Sequence, residues 1–256
     1  MQNYIYNIKN ISFKKIENAQ ECFTDQRYIT DINMINFGNK LTNLYFIFEG
    51  CHNLINVSNF NTINVISMGG IFYGCHNLIN IPNFNTSNVT DMNSMFSYCK
   101  NLMTIPNFNT INVTTIDYMF SDCFNLINIP NFNTSSVISM DDIFYDCQNL
   151  VNIPNFNTIN VIYMRHVFQN CYSLVNIPNF NTSNVTNMEY MFSDCYNLTR
   201  VPNINTSNVK DMEYMFYNCQ NLTNIPNFNI NNAIYMRNIF YNCTNLTQST
   251  LNRIAS

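Results

Sequence analysis

The chain has 256 residues, of which 46% are apolar and only 10% charged, with a net charge of −4 and an isoelectric point near 5.2. So much apolar material can bury a continuous core, which excludes a disordered chain. The acidic balance excludes a general polyanion binder, because phosphate recognition needs clustered Lys and Arg, so nucleic acid is not expected as a partner.

The opening stretch, "MQNYIYNIKNISFKKIENAQECF", has no apolar run between a basic start and a small-residue cleavage site, and does not read as a signal peptide. No segment of the chain approaches the length of a membrane span, so no membrane insertion is expected. Residues 1–40 are expected to form an N-terminal cap. Leu41, Leu44, Ile47 and Phe48 fit the pattern that follows, but Phe37 lies one residue too close.

From Cys51 onward one unit recurs. Cys51, Cys75, Cys99, Cys123, Cys147, Cys171, Cys195, Cys219 and Cys243 follow one another at intervals of 24 residues without a slip. Phe stands three residues before each of them (Phe48 through Phe240) and Leu three after (Leu54 through Leu246). Self-similarity at such a period is the signature of a solenoid whose units each bury an apolar edge against their neighbours. Residues 41–247 therefore read as about nine coils. Residues 248–256 read as a C-terminal cap, because "TQSTLNRIAS" after Leu246 abandons the pattern.

Within a unit, Met92, Met95, Phe96 and Cys99 fall at i, i+3, i+4 and i+7, which predicts a short helical turn over "DMNSMFSYC" with Thr90 or Asp91 as its cap. "NLMTIP" is too short for a second helix and ends in a Pro, and is expected to be a short parallel strand. "NFNTSNV" then returns the chain to the helical turn.

The repeated positions have physical readings of their own. Nine equivalent thiols cannot all pair, and no CxxC with zinc spacing occurs, so the Cys ladder is expected to be packed and reduced. All five glycines lie between Gly38 and Gly74, so Asn must serve the later turns. Asn85 and its equivalents, from Asn61 to Asn229, are expected to stack into an internal amide ladder. The Thr rank from Thr62 to Thr206 raises an ice-binding reading, which the missing paired T-x-T rank opposes. His52 and His76 occupy one position in adjacent coils without a third metal ligand. There is no Gly-rich phosphate loop and no nucleophile distinguishable from its copies, so no catalytic, cofactor or metal site is expected.

The unit, with its Met-x-x-Met-Phe-x-x-Cys core and following Leu, resembles the repeat of the BspA-like leucine-rich-repeat surface proteins, in the variant common in mycoplasma surface lipoproteins. The resemblance covers residues from about 41 to 247. It implies a repeat solenoid of the leucine-rich-repeat kind, and a secreted or cell-surface location that the missing export signal leaves open. The present unit is about one residue shorter than that family's.

Where the units differ, a surface is free to be used. The most variable stripe runs along the pairs between the repeated Met positions and the residues before each Cys. Asp117, Tyr118, Asp141, Asp142, Tyr145, Arg165, His166, Glu189, Tyr190, Glu213 and Tyr214 are its candidate partner-binding residues. Tyr offers a large apolar body with a polar tip, which suits a contact surface. The rival face is the strand, with Ile79, Met103, Ile127 and Val151. The expectation is a monomeric, non-enzymatic protein-binding or adhesion module for a protein or cell-surface ligand. The alternative is a structural spacer or self-assembling component.

Overall fold

A computed structural model describes residues 6–9, 17–33, 40–58, 61–248 and 250. The residues outside these ranges include parts of the two expected caps, which therefore lie outside the described residues. Three short strands open the array: β1 (Tyr6–Lys9), β2 (Ile29–Asn33) and β3 (Asn56–Val57), parallel and in the order β1-β2-β3. Ile8 pairs with Ile32, and Ile32 with Val57. Residues 17–33 already stack on the following coil, with an Asn18–Asn43 bridge and an Ala19 N–H to Asn43 carbonyl bond of 3.0 Å.

Downstream, single parallel bridges link every coil to the next: Asn43 to Ser67, Asp91, Thr115, Ser139, Tyr163, Asn187, Asp211 and Tyr235 in turn. A second rank of bridges, such as Asn128–Asn152 and Arg200–Asn224, marks the expected strand segment. There the Ile127 N–H reaches the Met103 carbonyl and the Val151 N–H reaches the Ile127 carbonyl, each at 3.2 Å. The chain is thus a parallel stack of coils in register.

The core is columnar because the sequence is periodic. The Phe column is buried from Phe48 to Phe216, with successive rings 5.2–5.8 Å apart and nearly parallel. A second column, Phe84, Phe108, Phe132, Phe156 and Phe180, is buried alongside. The Leu after each Cys is also buried in every coil. Each ladder Cys is buried and donates its thiol hydrogen to the carbonyl of the Phe column one coil back, as Cys147 does to Phe120 at 3.0 Å. Burial pushes these thiols up, Cys51 and Cys243 to about 12.

Two sequence expectations are corrected. "DMNSMFSYC" buries Met92, Met95, Phe96 and Cys99 as its spacing implies, but it is not helical. The segment is a run of consecutive turns. Met95, Ser97 and Cys99 donate N–H three residues back, to Met92, Ser94 and Phe96. The alternate residues Met92, Ser94, Phe96 and Tyr98 donate instead to the next coil, to Thr115, Asp117, Met119 and Ser121. A helix would keep all of these bonds inside the coil. Sharing them between turn and neighbour holds the stack together.

The second correction concerns the internal ladder. Asn85, Asn109 and Asn133 are exposed, and each carboxamide oxygen accepts the N–H two residues on, an Asx turn. The adjacent Thr is the inward residue. Thr62, Thr86, Thr110, Thr134, Thr158, Thr182 and Thr206 are buried, and each hydroxyl donates to an Asn carbonyl of the next coil at 2.8–2.9 Å. A rank of buried, bonded hydroxyls cannot order ice, which removes the basis of the ice-binding reading. Amide ladders do exist, on the outside, as in Asn101 to Asn77 and Asn152 to Asn128.

Candidate interaction surface

The turn run places the variable stripe. Its geometry needs a left-handed residue at two places per coil, and those places are the second residue of each variable pair and the residue before each Cys. Positive φ occurs at Ser94, Tyr118, Asp142, His166, Tyr190, Tyr214 and Asn238 in one column. It occurs at Tyr98, Asp122, Asp146, Asn170, Asp194, Asn218 and Asn242 in the other. Gly fills such sites only near the start, at Gly50, Gly70 and Gly74. At Gly70 an added Cβ would meet the Phe46 ring, which would have to move aside. For other residues the left-handed region costs about 1–2 kcal/mol, least for Asn and Asp. Tyr at four of these sites is an expensive choice of backbone.

The first residue of each pair behaves differently in the middle coils. The Asn93 side-chain oxygen accepts the Asp117 N–H at 2.9 Å, Asp117 accepts the Asp141 N–H at 3.0 Å, and Asp141 accepts the Arg165 N–H at 2.8 Å. Asp141 is buried, and its Oδ2 also takes both Nε and an Nη of Arg165 at 2.8 Å. Asp117, Asp141 and Arg165 are therefore committed to the stack. Glu189 and Glu213 are not used this way, because Asn187 and Asp211 accept their N–H groups instead. Burial and the neighbouring Asp211 raise the Glu189 carboxyl.

Of the remaining stripe residues, Tyr145, His166, Tyr190 and Tyr214 form a continuous strip of rings. Tyr145 lies 6.5 Å from His166, His166 meets Tyr190 edge-on at 5.1 Å, and Tyr190 stacks on Tyr214 at 4.6 Å. Tyr217 and Tyr241 extend it toward the C-terminal end. His166 Nδ1 lies 3.2 Å from Asp142 Oδ1. The sequence reading missed Tyr73, which sits two residues before Cys75, as Tyr145 does before Cys147. That shared offset is the signal that finds it.

The rival face is also real. Ile79, Met103, Val151 and Val175 are exposed, with Ile127 half-buried between them. The stacked rings of His52 and His76, 4.3 Å apart, border a depression with Glu49, Tyr73 and Tyr98, and the His52 Nδ1 lies 2.8 Å from the Gly74 carbonyl. No group of three metal-ligating side chains occurs among the described residues. No helix of the described residues is long and apolar enough to cross a membrane.

Comparison with known proteins agrees with the stacked coils. The T. pallidum leucine-rich-repeat protein is 19% identical, over 79% of this chain and 81% of its own, with a TM-score of 0.51. A leucine-rich-repeat protein from Eubacterium ventriosum is 22% identical, over 84% of this chain and 58% of its own, with a TM-score of 0.47. A leucine-rich cell surface protein from Faecalibacterium prausnitzii is 17% identical, over 96% and 85%, with a TM-score of 0.37. At such identities the first likeness supports the fold alone, a leucine-rich-repeat solenoid. No curated protein matches the chain. The family described as "Mycoplasma protein of unknown function, DUF285" matches residues 1–102, 42–154 and 147–253, and the chain belongs to that family.

Proposed function

We propose that this solenoid is a non-enzymatic binding or adhesion module whose working surface is the turn-run face, centred on Tyr118, Asp142, Tyr145, His166, Tyr190 and Tyr214. The observation that carries the reading is the placement of Tyr and His at left-handed backbone sites where Gly or Asn would cost less. An unfavourable backbone state kept for bulky, partly exposed side chains argues that those side chains are used. Glu189 and Glu213 flank the rings, while Asp117 and Asp141 act as scaffold and the exposed Arg165 is tied to Asp141. The acidic and aromatic character of the strip suits a basic or apolar protein or cell-surface ligand. The 24-residue coil is the unit of this surface, with residues 1–40 and 248–256 as caps, and the module works as a monomer.

The test is capture of a partner from host or self lysate, followed by comparison of variants. Tyr190→Ala and Tyr214→Ala should each weaken binding by more than about 1 kcal/mol. Ile127→Asp and Val151→Asp should leave it intact. The reverse pattern would move the site to the strand face.

A second reading, a structural spacer or self-assembling part, is favoured by the exposed aliphatic rank Ile79, Met103, Val151 and Val175. Light scattering after size exclusion separates the two. A monodisperse monomer supports the binding module, and an oligomer dispersed by Val151→Asp supports self-assembly.

A further inference from the structure

Within the proposed binding stripe, and resting on that reading of it, two small residues in adjacent coils leave a cavity between larger neighbours. We infer that this cavity is a seat for a primary ammonium group, the side chain of a lysine presented by the partner. The position two residues before each Cys reads Tyr73, Ser97, Ser121 and Tyr145 in successive coils. Two adjacent serines, both buried, stand where the flanking coils carry tyrosines. The missing ring volume leaves a cavity of about 330 Å³, walled by Tyr73, Tyr98, Tyr118 and Tyr145 and containing Asp122 and Asp142. Tyr73 and Tyr98 meet edge-on at 5.4 Å.

The chemistry of the lining selects a cation. Asp122 and Asp142 are only 9% and 8% exposed. Burial pushes the Asp122 carboxyl up, and the neighbouring Asp146 adds to this. Hydrogen bonds from Ser121 and Tyr98 and the charge of Lys100 oppose the rise without cancelling it. Lys100 also lies over the Phe124 ring at 5.6 Å, and Arg165 is held by Asp141. Negative potential beneath aromatic faces attracts a cation twice, through the carboxylates and through the ring quadrupoles.

The shape selects an ammonium. Ser121 holds Asp122 Oδ2 at 2.9 Å, and His166 lies 3.2 Å from Asp142 Oδ1. A ligand therefore meets two separate carboxylates, which suits a compact donor with diverging N–H groups better than the planar fork of a guanidinium. A quaternary ammonium has no N–H to offer them. The volume lies at the low end of the range of about 300–1,000 Å³ for small-ligand pockets, enough for one side chain. The larger depression over Thr42, Ile66, Asn88 and Thr90, about 690 Å³, has its polar groups already bonded to neighbouring coils.

The experiment uses the full chain with 13C-labelled Tyr, titrated with n-butylammonium, tetramethylammonium and 1-butanol. Single Tyr→Phe variants assign the signals. Saturable shifts confined to Tyr73, Tyr98, Tyr118 and Tyr145 are expected with n-butylammonium. Binding should be about tenfold weaker for tetramethylammonium and for the variant Asp122→Asn, and absent for 1-butanol. Unchanged Tyr190 and Tyr214 signals show that the variant is folded. Should Asp122→Asn fail to fold, Ser121→Tyr fills the cavity with the side chain this column already carries at Tyr145, and it should abolish the shifts. No saturable shift, equal binding of tetramethylammonium, or full binding by a folded Asp122→Asn or Ser121→Tyr chain would overturn the inference. The titration needs no partner protein, so its failure removes the ammonium seat alone. The Tyr190 and Tyr214 variants, outside the cavity, test the wider stripe separately.

Discussion

Each coil changes direction at two kinds of corner, and they satisfy the backbone in opposite ways. At the Asn85 to Val89 corner the side chains do it. Asn85 accepts the Ser87 N–H, the Thr86 hydroxyl reaches the Asn109 carbonyl of the next coil, and the Asn88 amide reaches back to the Ile63 carbonyl. Along the turn run, from 91 to 99, the backbone largely satisfies itself, sending alternate N–H groups to its own turns and to the next coil. The first corner can hardly change its residues without losing bonds, so Asn-Thr recurs there in coil after coil. The second leaves its outward side chains largely free of backbone duty, and there the sequence diversifies most. Its inward residues, Met92, Met95, Phe96 and Cys99, stay in the core.

The largest expected effect strikes what both corners share, the inner wall of thiols. Burial raises these thiols from an ordinary value near 9, to about 12 for Cys51 and Cys243. The folded state therefore keeps its thiol protons at pH values where the unfolded chain has lost them. By linkage, stability is full below about pH 9 and falls as the pH rises toward 12, by about 1.4 kcal/mol per pH unit for each such thiol. Nine coils in register compound the loss. Denaturant midpoints followed by circular dichroism under reducing conditions should drop steeply across pH 9 to 11. A midpoint flat to pH 11 would mean the thiols are not desolvated in solution. Native-state labelling at pH 7 should be slow at the nine ladder thiols until denaturant is added, with the exposed Cys22 reacting first.

The next effect separates two neighbouring residues at the side-chain corner. Thr134→Val keeps shape but removes the hydroxyl that donates to the Asn157 carbonyl at 2.9 Å, at a cost of about 1–3 kcal/mol. Asn133→Ala removes an exposed acceptor for the Ser135 N–H and hydroxyl, at 3.0 and 2.7 Å, and should cost about 0.5 kcal/mol. Hydrogen exchange should rise first in the coils flanking Thr134, since coils couple mainly to their neighbours. If Asn133→Ala proves the costlier change, the inward residue of this corner has been misplaced.

Those neighbours also show where sequence reading stops. The coil and its core are legible, because burial repeats in register and every Phe, Cys and Leu of the unit is copied at one spacing. Which of Asn133 and Thr134 points inward is not, because both are polar and both recur equally. The backbone of the turn run was misread for a related reason: buried Met92, Met95, Phe96 and Cys99 fit either a helix or four-residue turns. The better signal lay in the residues tolerant of positive φ, with Gly70 and Gly74, Asp142 and Asp146, and Asn238 and Asn242 each four apart. Tyrosines at the same offsets hid it. Of the stripe, Tyr190 and Tyr214 stand where expected, whereas Asp117 and Asp141 are scaffold, a role that appears only once coils are stacked. The cavity at Ser97 and Ser121 is illegible in one coil, since it is the difference between four.

The smallest effect tests whether the stripe tyrosines are held against the preference of their own backbone. Tyr190 has φ +52° and stacks on Tyr214 at 4.6 Å. Tyr190→Ala loses the stack but keeps a Cβ in the left-handed region. Tyr190→Gly loses the same stack and releases about 1–2 kcal/mol of backbone strain, offset by about 0.5–1 kcal/mol of extra chain entropy on unfolding. The glycine variant should therefore be the more stable of the two, by about 0.5–1 kcal/mol. Chemical denaturation of both proteins in one buffer resolves that difference if the unfolding slopes match. An alanine variant at least as stable as the glycine variant would mean that the left-handed site carries no strain. The turn-run face would then be variable merely because nothing constrains it, and its rings would owe nothing to a partner.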